Sequence, residues 1–101
     1  MLMYDVDILP IARDDIASIY QYIALDSPAS ALRVIDEIMD KIDTLQEFPE
    51  RCPPVPDGVL ARQGYRMLII KNYIAFFKVF KTEVIVYRVF HGKRDYPQLL
   101  E

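Results

Sequence analysis

The residues best suited to chemistry follow one another near the carboxyl end of the chain. An apolar run ends at His91, Gly92, Lys93 and Arg94, and Tyr96 comes two residues later. Histidine is the side chain best suited to proton transfer near neutral pH, and a guanidinium can bind a phosphate or carboxylate through two hydrogen bonds. A tyrosine can stack on a base or donate a hydrogen bond. We interpret this cluster as a candidate site for an anionic partner, with Lys93 and Arg94 contacting the target. A solvated basic turn is the alternative.

Arg88 and Arg66 are further candidates, because each lies inside an otherwise apolar strand. An arginine in such a place needs a partner or a face open to water. For Arg88, a structural ion pair with an acidic residue such as Asp5 or Asp7 explains the residue as well as a functional role does.

The alternation of side chains along a strand predicts where Arg88 and His91 point. It places Arg88 on one face of the sheet with Phe90, and His91 on the other face with Tyr87 and Val89. Arg88 and His91 therefore converge only if a bulge interrupts the strand.

The single cysteine and single histidine restrict the available chemistry. Cys52 alone forms no internal disulfide and no cysteine-based metal site. A nucleophilic pair of Cys52 and His91 is formally available, but Cys52 lies in a proline-rich stretch and nothing places it beside His91. The sequence has no cluster of ligands with metal-binding spacing, so we expect no metal and no cofactor.

Hydrophobic periodicity predicts the elements that position these residues. Residues Leu2–Leu9 alternate as an edge strand does. An amphipathic helix is predicted from Ala12 to Leu25, and a second begins with Ser27 as its N-cap and closes at Pro49. A loop is predicted over Glu50–Ala61, followed by strands at Arg62–Ile70, Tyr73–Phe80 and Glu83–His91 and a last helical turn within Asp95–Glu101.

The order β-α-α-β-β-β predicts an α+β fold in which an antiparallel sheet carries a helical hairpin on one face. The first strand pairs at the edge, and the other three form a meander. A chain of 101 residues is the size of one domain, so we expect residues 1–101 to form a single one.

Charge is distributed unevenly along the chain. Residues 1–60 hold 12 acidic and 4 basic residues, a net charge of −8, whereas residues 61–101 hold 8 basic and 3 acidic residues, a net charge of +5. The basic half can meet nucleic acid or an acidic protein segment, or the two halves simply attract each other. We found no apolar run of membrane-spanning length and no basic signal-peptide start, so the expected location is the cytoplasm.

Several segments carry a resemblance to a known family. The sequence reads GYR from Gly64, NY from Asn72 and YRVFHGKRD from Tyr87, and residues 12–23 and 31–49 precede them as two helices. In order and spacing these segments resemble the RelE/ParE superfamily, the toxins of bacterial type II toxin–antitoxin pairs that stabilise plasmids. The resemblance covers nearly the whole chain. It implies the same β-α-α-β-β-β fold, a cognate antitoxin as partner, and contact with operator DNA only through that antitoxin.

The superfamily divides in function, and the resemblance implies two possible targets. RelE-like members cut mRNA on the ribosome without a metal, using basic and aromatic side chains. ParE-like members poison DNA gyrase and are not established nucleases, so whether the chain is an enzyme depends on its branch. By resemblance, Arg94 matches a functional arginine of the ribonucleases and Arg66 a basic strand residue. Tyr96 and His91 fit the aromatic or imidazole role.

Three positions depart from the ribonuclease pattern. Ile74 follows Tyr73 where many RelE ribonucleases have an arginine, and Leu68 and Ile70 occupy strand positions that are basic in those enzymes. The departures favour a ParE-like toxin that inhibits gyrase. The alternatives are a RelE-like mRNA interferase and a degenerate toxin that retains only antitoxin binding and operon autoregulation.

Overall fold

The computed structural model of the protein describes residues 3–94 and 96–100. Its helices and strands are β1 (Asp5–Ile8), α1 (Pro10–Ala24), α2 (Pro28–Asp43), α3 (Gly58–Arg62), β2 (Arg66–Ile70), β3 (Tyr73–Val79), β4 (Glu83–His91) and α4 (Tyr96–Leu100). The strands form one sheet in the order β1-β4-β3-β2. The predicted α+β fold class, the meander and the edge position of β1 are confirmed. Because β1 runs parallel to β4, the sheet is mixed rather than wholly antiparallel.

The helical hairpin forms where the apolar periodicity predicts it. Ser27 caps α2 as predicted, since its hydroxyl accepts a hydrogen bond from the Ser30 N–H at 3.2 Å. α1 begins at Pro10, two residues earlier than predicted, because proline suits a first turn whose N–H groups have no helical acceptor. α2 ends at Asp43 and continues as a short 3₁₀ turn, so Pro49 is not its terminator.

Helix α3 was not predicted, and it shortens the following strand. Asp57 caps it by accepting a hydrogen bond from the Leu60 N–H at 3.0 Å. The helix occupies the start of the predicted strand Arg62–Ile70, so β2 begins at Arg66. The predicted first strand begins at Leu2, and the predicted last helical turn lies within Asp95–Glu101. Leu2, Asp95 and Glu101 themselves lie outside the described residues.

Apolar side chains pack on both faces of the sheet. The hairpin covers one face, and this layer includes Ile38, Ile42, Phe77, Val84 and Val89. Helices α3 and α4 cover the other face, in a second cluster that includes Leu60, Tyr65, Phe76, Phe90 and Tyr96. The carboxyl end of β4 is thus held between α1 on one side and α4 on the other.

A β-bulge changes which way the second half of β4 points. Phe76 pairs with Arg88 but the next residue, Phe77, pairs with Val86, which leaves Tyr87 as an extra residue on β4. Val86 and Val89 consequently both contact the hairpin layer. Tyr87 packs in the opposite layer, so its predicted placement on the face of Val89 and His91 is wrong.

None of the helices in residues 3–94 and 96–100 is both long and apolar enough to cross a membrane.

Candidate functional site

A groove of 460 Å³ lies between α1 and the carboxyl end of β4. Helix α1 supplies one wall because Asp15, Ser18, Ile19 and Tyr22 recur on one of its faces. The sheet and the turn after β4 supply the other wall, which consists of Tyr73, Val89, Phe90, His91 and Arg94. We call this feature the α1–β4 groove.

His91 sits in the groove against Tyr73, with the two rings edge to face and their centroids 5.5 Å apart. The Lys93 N–H donates to Nδ1 of His91 at 3.2 Å, and the Arg94 N–H donates to the His91 carbonyl at 3.0 Å. With Nδ1 accepting, a neutral imidazole carries its proton on Nε2. The histidine therefore shapes the turn that displays the two cations.

Arg94 lies at the rim of the groove and is exposed to solvent. Its guanidinium carbon is 5.5 Å from the centroid of the Phe90 ring. Within the described part of the chain, neither Lys93 nor Arg94 makes a salt bridge. These two cations are thus available to an anionic partner.

Arg88, by contrast, is engaged by α1. Its Nε and Nη2 donate to the Asp15 carboxylate at 2.8 and 2.9 Å, and its Nη1 donates to the Leu99 carbonyl of α4 at 3.3 Å. The hydrogen bonds that Arg88 donates to Asp15 raise the pKa of Arg88 above its ordinary value, against the opposing effect of burial. The ion-pair explanation of Arg88 holds, but the partner is Asp15 rather than Asp5 or Asp7, because both of those β1 carboxylates are exposed.

Arg66 has a structural role at the far edge of the sheet. Its Nη1 donates to the carbonyls of Cys52 and Glu50, at 2.7 and 3.3 Å. The side chain thereby fastens the proline-rich loop to β2, and it is remote from the groove. Leu68 and Ile70, on the same strand, are buried against the helical hairpin and have no access to a substrate.

Tyr96 lies on the face of the sheet opposite His91. Its ring stacks on Phe76 at 4.7 Å between centroids. The structure therefore brings His91 and Arg94 together, with Lys93 beside them, and it keeps Arg66 and Tyr96 apart from them.

Sequence reasoning missed the helix side of the groove. Tyr22 is an aromatic residue that is 77% exposed on an amphipathic helix. A large exposed aromatic side chain of this kind can indicate a binding surface. The sequence pattern accounts for Asp15 only as an acidic residue in an early turn of α1, where it is favourable to the helix dipole. Its role depends on a contact 73 residues away in sequence, which periodicity does not reveal.

Cys52 is 6% exposed, and burial raises the pKa of its thiol. A protonated, enclosed thiol is a poor nucleophile. Cys52 lies beside Arg66 and far along the sheet from His91, so the two do not form a catalytic pair. Among the described residues no three His, Cys, Asp or Glu side chains are grouped to hold a metal ion.

Comparisons with known proteins identify relatives of this fold. The model of the family described as the ParE toxin of the type II toxin–antitoxin system, parDE, matches residues 6–96. The chain is similar to a structure of the chromosomal ParDE TA system from P. aeruginosa, with 24% identity and a TM-score of 0.75 over 90% of this chain and 98% of that one. It is also similar to the toxin–antitoxin complex RelBE2 from Mycobacterium tuberculosis, with 20% identity and a TM-score of 0.67 over 90% and 93%. No curated protein sequence matches significantly.

Proposed function

Because the chain belongs to the ParE toxin family of type II toxin–antitoxin systems, we propose that it arrests growth by inhibiting DNA gyrase and that a cognate antitoxin neutralises it. The observation that carries the choice of target is the scarcity, among the described residues, of free catalytic groups around the exposed Lys93–Arg94 turn. Inhibition of a protein target requires only a complementary surface, whereas RNA cleavage requires a set of converging donors and a base.

The contacts of the candidate residues support binding over cleavage. The guanidinium of Arg88 is bound by Asp15, and that of Arg66 is bound by loop carbonyls. Tyr96 stacks on the opposite face of the sheet. Only His91 and the Lys93–Arg94 turn are left to act on a scissile phosphate.

An antitoxin has a suitable surface on the helical hairpin. A shallow cleft between α1 and α2 is lined mainly by apolar atoms of Ile16, Ala17, Tyr20, Ile35 and Met39. An acidic, disordered segment that folds into a helix would bury this surface on binding. Arg13 is the one cation that lines the cleft, so apolar contact rather than charge is the main contribution expected there. We propose that operator DNA is reached only through the antitoxin and that the complex is cytoplasmic.

Two assays run side by side test the target. Purified protein should inhibit supercoiling by purified gyrase, and induced cells should filament with an SOS response while their mRNA stays intact by primer extension. Co-expression with the adjacent small reading frame should yield a complex that co-purifies and restores supercoiling. Codon-phased mRNA cuts together with normal supercoiling would reject the gyrase proposal.

A RelE-like ribonuclease is the second candidate, and one observation favours it. His91 and Arg94 line the same groove, which pairs a proton-transfer group with a phosphate-binding group. Primer extension on mRNA from induced cells distinguishes this candidate from a gyrase inhibitor. A protein that binds its antitoxin but affects neither gyrase nor mRNA would be a degenerate toxin.

A further inference from the structure

Among the described residues, the α1–β4 groove and the adjoining Arg88 together carry a net positive charge even though an aspartate lines the groove. Asp15 is its one acidic residue, and both of its oxygens are occupied: Oδ1 by Arg88, and Oδ2 by Arg88 and by the Val89 N–H at 3.0 Å. Its charge is balanced by Arg88 in a pair that is only 20% and 13% exposed. Arg94 has no such partner among the described residues, so it determines the charge that an incoming ligand meets.

The walls of the groove are aromatic and aliphatic. Tyr22 of α1 and Tyr73 of β3 line it together with Ile19 and Val89, and 77% of the Tyr22 surface is open to water. A volume of 460 Å³ accommodates one large side chain with its flanking backbone. Ser18 adds a hydroxyl on the helix side. A ligand in the groove would therefore bury mainly apolar surface and would meet one cation, Arg94.

We propose that the α1–β4 groove binds an acidic segment of the protein target, with one aromatic or long aliphatic side chain inserted between Tyr22 and Tyr73 and an adjacent carboxylate on Arg94. The inference rests on the proposed function, since it assigns the groove to the target rather than to the antitoxin. Charge complementarity selects the occupant. A carboxylate is satisfied by one bidentate guanidinium, whereas a nucleic-acid backbone needs cations spaced along several phosphates.

A peptide titration tests the groove by itself. The probe is the capped tripeptide acetyl-Glu-Phe-Glu-amide, followed by the NMR signals of the His91 and Tyr73 rings in the full chain. We expect these signals to shift, with about fivefold weaker binding to the Arg94→Ala variant and no binding of acetyl-Lys-Phe-Lys-amide. Stronger binding of uridine monophosphate than of the acidic peptide would overturn the inference in favour of RNA. Absence of any shift would overturn it outright.

A gyrase titration tests the groove in function. Tyr22→Ala should raise the toxin concentration for half-inhibition of supercoiling about 10-fold, as expected for loss of an aromatic anchor. Leu25→Ala is the matched control, because Leu25, the C-cap residue of α1, is 83% exposed and does not line the groove. Antitoxin co-purification should be unchanged in both variants.

The two failures are distinguishable. If the unmodified protein inhibits gyrase but Tyr22→Ala inhibits it equally well, the groove inference is wrong and the proposed function stands. If the unmodified protein does not inhibit gyrase, the proposed function is wrong, and the peptide titration still reports whether the groove takes an acidic aromatic ligand.

Discussion

Asp15 of α1 binds Arg88 of β4 through two charge-assisted hydrogen bonds, of 2.8 and 2.9 Å, at the point where β4 loses its neighbouring strand. The pairing of β1 with β4 ends at Val86, whose carbonyl accepts the Leu9 N–H. Beyond that point the Val89 N–H would face the helix without a partner, and the Asp15 carboxylate accepts it at 3.0 Å. One carboxylate thus neutralises a half-buried cation and completes an open strand edge.

Asp15→Ala should lower the free energy of unfolding by roughly 2 to 3 kcal/mol, toward the low end for a broken buried ion pair because the pair retains some exposure. The variant leaves the Arg88 guanidinium and the Val89 N–H without their acceptor. Chemical denaturation measures the change. Glu37→Ala is the control, since the Glu37–Lys71 bridge is 44% and 75% exposed and its loss should cost less than about 1 kcal/mol. Equal costs for the two variants would contradict the structural role of Asp15.

Arg94→Ala should relieve growth arrest while the protein stays folded. The Arg94 side chain is exposed, so its removal leaves no core cavity. Growth after induction and the melting temperature are the two measurements. Lys81→Ala, which removes an exposed cation from the turn at the other end of β4, should remain toxic. A folded Arg94→Ala variant that still arrests growth would exclude this residue from the target contact.

A truncation after Gly92 is a poorer test of the same idea. It removes Lys93 and Arg94, but it also removes Tyr96, which stacks on Phe76, and the Leu99 carbonyl that accepts from Arg88. Lys93 and Arg94 are exposed beyond the packed strand, whereas α4 packs against the sheet. Point variants separate target contact from folding.

Cys52 should make the protein less stable at alkaline pH. Burial raises the pKa of its thiol above the ordinary value, so as the pH rises past the ordinary thiol pKa the unfolded chain loses the proton first and the free energy of unfolding decreases. The slope contributed by one proton is at most about 1.4 kcal/mol per pH unit. Cys52→Ala should flatten the pH dependence of unfolding in the alkaline range above the ordinary thiol pKa. An unchanged slope would show that the thiol is not the titrating group.

Phe48→Gly should be more stable than Phe48→Ala by roughly 1 kcal/mol. Phe48 has φ 47° and ψ 55°, a left-handed conformation that a Cβ disfavours, and its ring is 69% exposed. The Arg51 guanidinium holds this turn by donating to the carbonyls of Glu47 and Phe48 at 2.8 and 3.2 Å. Thermal unfolding of the two variants compares them directly, and equal stability would mean that the turn relaxes when the ring is removed.

The sequence predicted those helices and strands whose start, end or apolar pattern is marked by residues within the segment itself. Ser27 followed by Pro28 marks a helix start wherever it occurs, and the apolar run of β4 has its predicted bounds, Glu83–His91. Helix α3 was not predicted because three prolines and a glycine at and before its start indicate a loop, although Asp57 is a good N-cap. The fold class followed from these local elements, and the family resemblance implied the same class.

The candidate site was only partly predictable, for a physical reason. His91 and Arg94 are near each other in sequence, so their proximity was expected. The bulge precedes Arg88 and leaves the alternation from Arg88 to His91 as predicted, whereas the partner of Arg88, Asp15, comes from a distant helix. Such contacts are set by register and helix packing, which one sequence does not specify.

The bulge at Tyr87 also separates two tasks that β4 performs. Before it, the strand is held on both sides by β1 and β3, and after it the strand is held by β3 and one helical carboxylate while its end lines the groove. Substitutions after Tyr87 can therefore change what the groove recognises without altering the register of β1. Because Phe77 pairs with Val86 and Phe76 with Arg88, deletion of Tyr87 would make the ladder regular and leave Val86 and Val89 on the hairpin face, so it should remove the local bend of the strand and the packing of Tyr87 on Tyr65 while the core keeps its register.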